Sequence, residues 1–152
     1  MSWIFGSLEW MEEFRKRINS DEKYLAAAKG YTTSTLMLIR DVPMASYTKY
    51  DDGKIVEQAP VPASQIGEYR NRAEFMLEFP TYDLFISYLS GEADITRLTM
   101  SGKVRFSGPM PRIMKFRAAT TRAGEIMAEL MKETIVLTKE EIQAALKELG
   151  ML

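Results

Sequence analysis

Residues 82–116, YDLFISYLSGEADITRLTMSGKVRFSGPMPRIMKF, constrain the fold of this chain more than any other stretch. Leu84, Phe85, Tyr88 and Leu89 fall at i, i+1, i+4 and i+5, one apolar helical stripe, with Thr81 placed to cap it. Gly91 closes that helix, and Asp94 can cap a second short one with Ile95 and Leu98 facing inward. After Ser101-Gly102 the pattern changes to period two. Val104 and Phe106 face one way and Lys103 and Arg105 the other, as in a half-solvated strand. Gly108-Pro109 then opens a Met-rich apolar helix, with proline where a helix start tolerates it. The segment has no His, no Cys and only three carboxylates, Asp83, Glu92 and Asp94. It offers apolar surface rather than reactive groups.

The flanking sequence supplies helices and strands around it. Ser7 predicts an N-cap for a first helix with Leu8, Met11 and Ile18 near helical spacing, acidic residues early and basic ones late. A second helix runs from about Glu22 to Lys29 and stops at Gly30. Thr32–Arg40 reads as a strand, and Asp51-Asp52-Gly53 reads as a hairpin turn between two more. Ala59–Gly67 holds Pro60, Pro62 and Gly67 and reads as a loop. Ala73–Phe79 alternates, with Ala73, Phe75, Leu77 and Phe79 on one face and Glu74 and Glu78 on the other. Met76 is the one exception on the polar face. Thr121–Lys132 is helical, and Thr138-x-x-Glu141 is a capping box before a last helix. Ile142, Ala145, Leu146 and Leu149 make a stripe on that helix. The stripe leaves open packing on the domain, lidding a pocket, or pairing with a second copy as a homodimer. Helices, then strands, then helices around one late strand predict an α+β fold. No repeat or linker divides the chain, so residues 1–152 read as one domain with a C-terminal helical extension at about 138–150.

Composition removes whole classes of chemistry. With no Cys and no His there is no disulfide framework, no Cys/His zinc site and no His-dependent nucleophile. We expect no metal, no cofactor and no catalytic residue. The 20 basic and 21 acidic residues balance to −1, which argues against a nucleic-acid partner. Adjacent Glu12-Glu13 do not face each other on a helix, and Asp51-Asp52 is explained by its turn. Gly102-Lys103 is followed by Val104 rather than Ser or Thr, so it is no phosphate loop. The acidic N-terminus predicts no signal peptide, and no run approaches the roughly 18–20 apolar residues of a membrane span. The expected location is cytoplasmic.

Taken in order, the Tyr82–Phe116 elements resemble the core of the sterol carrier protein type-2 (sterol-binding domain) family. The matching features are Tyr82-Asp83-Leu84-Phe85, Gly91, Asp94, then Gly102-Lys103-Val104-Arg105-Phe106-Ser107-Gly108, with Met110, Ile113, Met114 and Phe116 after them. The resemblance covers about residues 8–132 in order of elements. The loop 59–70, the prolines at 80 and 109 and the last helix depart from it, and the Gly-Met-Leu ending is no peroxisomal address.

The resemblance implies a mixed sheet of about five strands covered by helices on one side, with an internal apolar tunnel for fatty acyl chains, phospholipids or sterol-like molecules. The candidate lining residues are Phe79, Phe85, Leu89, Leu98, Met100, Phe106, Met110, Met114, Met127 and Met131. Eleven methionines suit an adaptable apolar surface. Burying about sixteen acyl carbons at roughly 0.8 kcal/mol each gives on the order of 12 kcal/mol gross, enough to offset association costs without a charged clamp. Five cations in fifteen residues, Lys103, Arg105, Arg112, Lys115 and Arg117, suit either a solvated face or transient contact with an anionic membrane. Two other classes stay open. One is the same fold with a filled core acting as a protein-interaction module. The other is an enzyme using Tyr, Lys or Asp on an apolar substrate.

Overall fold

The computed structural model describes residues 2–152. The chain opens with β1 (Trp3–Ile4), α1 (Leu8–Ser20) and α2 (Glu22–Ala27). A meander follows: β2 (Thr33–Ile39), β3 (Met44–Asp51) and β4 (Lys54–Val61). A 3₁₀ turn (Ala63–Gln65) leads to α3 (Ile66–Arg72) and β5 (Phe75–Phe79). Then come α4 (Tyr82–Leu89), α5 (Ile95–Met100), β6 (Arg105–Ser107) and α6 (Met110–Lys115). The last elements are α7 (Arg117–Lys132), β7 (Thr134–Ile135) and α8 (Lys139–Glu148).

Capping side chains fix the helix starts. Ser7, Asp21, Thr81 and Asp94 each accept a hydrogen bond from a first-turn backbone N–H. The Thr138–Glu141 box closes in both directions.

The large sheet has the order β4-β3-β2-β5-β6. Only β2 and β5 pair in parallel, so the sheet is mixed and five-stranded, as expected. Asp52 (φ 49°) and Gly53 (φ 87°) both take positive φ, which a two-residue turn matched to strand twist requires. Gly53 also sits against α2: a Cβ there would lie 2.7 Å from Ala28 Cβ. Tyr24 donates its hydroxyl to Gly53 O at 2.6 Å, and Gly30 N–H bonds Asp52 Oδ1. These contacts lock the hairpin tip to the second helix. The free edge at β4 is met by Asn19, whose amide bonds both Ile55 N and Ile55 O, so that position is satisfied without a neighbouring strand.

Two expectations need correction. The stretch read as a loop at 59–67 extends β4 to Val61 and then starts α3. The helices also do not lie on one side only. Leu36, Leu38, Ala45, Tyr47, Val61 and Met76 form a core packed by Ile66, Tyr69 and Ala73 of the α3 region. Met76 is therefore no exception: its face is a second buried face. Glu78 shares that face, and it is buried with Arg70 and Arg105 guanidinium nitrogens each 3.7 Å away. Helices α1, α2, α4, α5, α7 and α8 place buried side chains on the opposite side.

Candidate functional site

Side chains on the helix-rich face form two separate clusters. One gathers at the Ile39–Phe79 end of the sheet, around Phe5, Trp10, Phe85 and Leu130. Phe79 and Phe85 rings meet edge to face at 5.0 Å, and Phe5 stands 6.4 Å from Phe85. The helix α8 packs on this end through Ile142 and Leu146, while Leu149 of its stripe is exposed. The other cluster gathers at the hairpin end, around Ile18, Tyr24, Tyr31, Ile55, Phe116 and Ile126. Asp21 pins it by accepting two hydrogen bonds from Arg122, at 2.9 and 2.8 Å. Those bonds, with the α2 amide of Tyr24, hold the Asp21 carboxyl down to about 2.

Between the clusters the sheet is not sealed. Thr35 and Met37 lie on the central strand β2 but are only half-buried. Leu77, beside Met37 on β5, is half-buried too, as is its partner Phe106 on β6. Met37 and Leu77 pack on the helix-side cluster, which settles their direction. A central strand under a helix layer is ordinarily fully buried. Accessible surface retained there marks a strip the helices do not close. Tyr50, Tyr88 and Met127 border it, all half-buried.

The polar character of the strip comes from phenols. Tyr31 and Tyr50 rings stand 5.3 Å apart, and Tyr88 lies 5.3 Å from Phe79. Burial pushes the Tyr50 and Tyr88 phenols up, and Tyr31 is pushed up to about 12 by burial. All three are neutral donors at ordinary pH. The charged neighbours of Tyr31 are Arg112 and Glu74, which pair with each other at 2.9 Å.

The ten residues expected to line a tunnel divide three ways. Phe79, Phe85, Leu89, Leu98 and Met131 are buried in the first cluster. Phe106 and Met127 are half-buried at the strip. Met100, Met110 and Met114 are exposed, at 83%, 48% and 60%. Reading by residue type missed Thr35, Met37, Tyr50, Leu77 and Tyr88. Their signal was positional: Thr35 and Met37 alternate with Leu36 and Leu38 on a strand with neighbours on both sides.

Two surface depressions lie elsewhere. One, about 520 Å³, is bordered by Glu12, Arg15, Lys16, Asn19 and Ser20. The other, about 470 Å³, is bordered by Lys23, Arg117, Ala118, Thr121, Arg122 and Glu125. Among the described residues, no group of three or more carboxylates could hold a metal ion, and no helix is long and apolar enough to cross a membrane.

A mixed five-stranded sheet with helices on both faces, one face incompletely closed, defines an α+β architecture. Among solved structures it is the fold of sterol carrier protein 2. The crystal structure of a sterol carrier protein 2 superposes with a TM-score of 0.67 at 18% identity, over 81% of this chain and 96% of that one. A conserved hypothetical protein from Thermus thermophilus, suggested to be a sterol carrier protein, superposes at 0.68 and 17% identity, over 86% and 92% of the two chains. No family model matches the sequence, and no curated protein matches it. The likeness anticipated from residues 82–116 is thus present as fold.

Proposed function

We propose that this protein binds an apolar ligand along the unsealed strip, without catalysis, and passes it between lipid environments. The observation that carries this reading is the half-buried row Thr35, Met37 and Leu77 beneath the helix layer. An unsealed apolar surface forgoes dispersion contacts that a closed core would make. An acyl chain or similar tail laid along it restores them and leaves water at the same time. The shared fold with proteins described as sterol carriers supports the same ligand class. The strip presents mainly apolar side chains with neutral hydroxyls, Thr35, Tyr50 and Tyr88, a surface suited to passive holding.

Loading would occur where the chain offers both grease and charge. Residues 95–124 hold seven cations and no carboxylate, in a chain of net charge −1. Lys103, Arg105, Lys115 and Arg117 are exposed there together with Met100, Met110 and Met114. Flexible apolar side chains among cations suit an anionic bilayer, each cation contributing about 1 kcal/mol near its surface. Nucleic acid suits the segment less, because Phe106 is half-buried and Phe116 buried, leaving no exposed aromatic to stack on bases.

Native mass spectrometry after incubation with fatty acids, phospholipids and sterols tests the binding. One-to-one adducts at tens of micromolar are expected, and their absence across all three classes contradicts the reading. Co-sedimentation with phosphatidylcholine vesicles, with and without phosphatidylserine, tests the loading surface. Binding should require the anionic lipid and fall on Lys103→Glu with Lys115→Glu.

A further inference from the structure

Seven tyrosines occur in the chain, and two of them show what a buried hydroxyl ordinarily does. Tyr24 donates to Gly53 O and Tyr82 donates to Leu137 O, at 2.6 and 2.8 Å. Tyr31, Tyr50 and Tyr88 on the helix-rich face do not follow that pattern; neither does Tyr47 on the α3 face, at 3% exposure. Their hydroxyls make no hydrogen bond among the described residues, although Tyr31 is only 4% exposed. Nor are they walled in. Among the described residues, the one fully enclosed side-chain polar atom without a partner is Trp3 Nε1. The hydroxyls of Tyr31, Tyr50 and Tyr88 therefore face accessible space, and the strip is the accessible space they border. Tyr31 and Tyr50 lie side by side, their rings 5.3 Å apart, and Tyr88 packs on Phe79 at 5.3 Å.

A hydroxyl that reaches accessible space among apolar side chains bonds to water there, and an oxygen-bearing ligand group can take that water's place. The arrangement makes sense when an oxygen-bearing group sits among them. The charge around the site narrows which group. Arg112 is the cation beside Tyr31, and it is engaged: Nη1 bonds Glu74 Oε2 at 2.9 Å and Nη2 bonds Thr32 O at 2.6 Å. An anionic head arriving here would meet Glu74 as well as Arg112 and would leave water without a free counter-charge. A neutral carbonyl carries no net charge for Glu74 to repel and can accept from the phenols.

We propose that Tyr31, Tyr50 and Tyr88 form the polar end of the ligand site and select an apolar molecule bearing a neutral carbonyl, as in a ketone or ester, over a free carboxylate. This rests on the ligand-binding reading above, and names which class of ligand that site takes.

The test compares three probes of equal chain length, tridecane, 2-tridecanone and tridecanoic acid, as competitors of the neutral fluorophore N-phenyl-1-naphthylamine at pH 7. The ketone should displace the fluorophore about tenfold more tightly than the alkane, the gain of one or two buried hydrogen bonds. The acid should bind no better than the ketone. Tyr31→Phe, Tyr50→Phe and Tyr88→Phe should each shrink the ketone–alkane ratio. A preference for the acid, or a ratio unmoved by all three variants, overturns the proposal while the ligand-binding reading stands. Failure of every probe, the alkane included, overturns both. Thermal melting of the ligand-free variants gives an independent arm. Removing an unpartnered hydroxyl should leave the melting temperature unchanged or raised. A fall of several degrees in each variant would mean the hydroxyls are already satisfied inside the protein, against the proposal.

Discussion

The two faces of β2 carry opposite relations between cover and closure. On one, the short helix α3 suffices: Leu36 is 0% exposed and Leu38 is buried beside Tyr47 and Met76. On the other, six helices contribute buried side chains, yet Thr35 and Met37 keep accessible surface. Cover alone does not close a core. Helices settle onto a sheet only as far as their ends allow. Here the Phe5–Phe79–Phe85 group stands at one end, and the hairpin lock with its Asp21–Arg122 clamp stands at the other. We read these as pillars that keep the middle open. On this reading the close-packed ends supply stability, and the middle is where the proposed ligand would lie.

The largest effect that could break this comparison is loss of a pillar. Phe79→Ala should cost about 3–5 kcal/mol in denaturant unfolding, the range for a buried aromatic. A loss under about 1 kcal/mol would mean that end is not close-packed. Next comes the direct contrast on β2. Leu36→Ala should cost about 2–5 kcal/mol, while Met37→Ala, one residue away, should cost about 1 kcal/mol or less and weaken ligand binding instead. Equal costs at the two sites would erase the distinction between the faces. Smaller still, Met37→Phe should fill part of the strip, stabilise the empty protein by up to about 1 kcal/mol, and reduce ligand affinity. Destabilisation by that change would indicate a strip already full.

The smallest effect concerns the clamp. The Asp21 carboxyl is held below its ordinary value by Arg122, so its contribution to stability is complete above the unfolded carboxyl's range near pH 4. It is lost as pH falls toward about 2. Melting curves between pH 5 and pH 2 should show Arg122→Ala losing less on acidification than the unsubstituted protein. Parallel curves would remove the clamp from the account.

The local parts of this fold were legible in the sequence. Ser7, Thr81, Asp94 and Thr138 announce their helices because a cap acts over three or four residues. The Asp52-Gly53 turn is equally local. The helix α3 was not legible: IGEYRNR presents only Ile66 and Tyr69 to the sheet, too few for a periodic stripe, and it follows two prolines. Missing it turned Met76 into an anomaly. The candidate strip was legible in part. Residue type named Phe106 and Met127, which stand half-buried there, together with Met100, Met110 and Met114, which are exposed. Tyr50 and Tyr88 escaped because a tyrosine beside a turn, or on a short helix, has no sequence mark that separates a solvated hydroxyl from an enclosed one. That distinction arises only when distant elements meet across the sheet.

Methyl NMR of protein carrying ¹³C-methionine tests the open strip most directly, because methionines stand at the strip (Met37, Met127), beneath α3 (Met76) and on the exposed surface (Met100, Met110, Met114). On titration with 2-tridecanone or a phospholipid, the account predicts shifts and ligand contacts at Met37 and Met127. Met76 beneath α3 should be unmoved. Perturbation of Met76, or of Met100, Met110 and Met114 alone with Met37 silent, would contradict it.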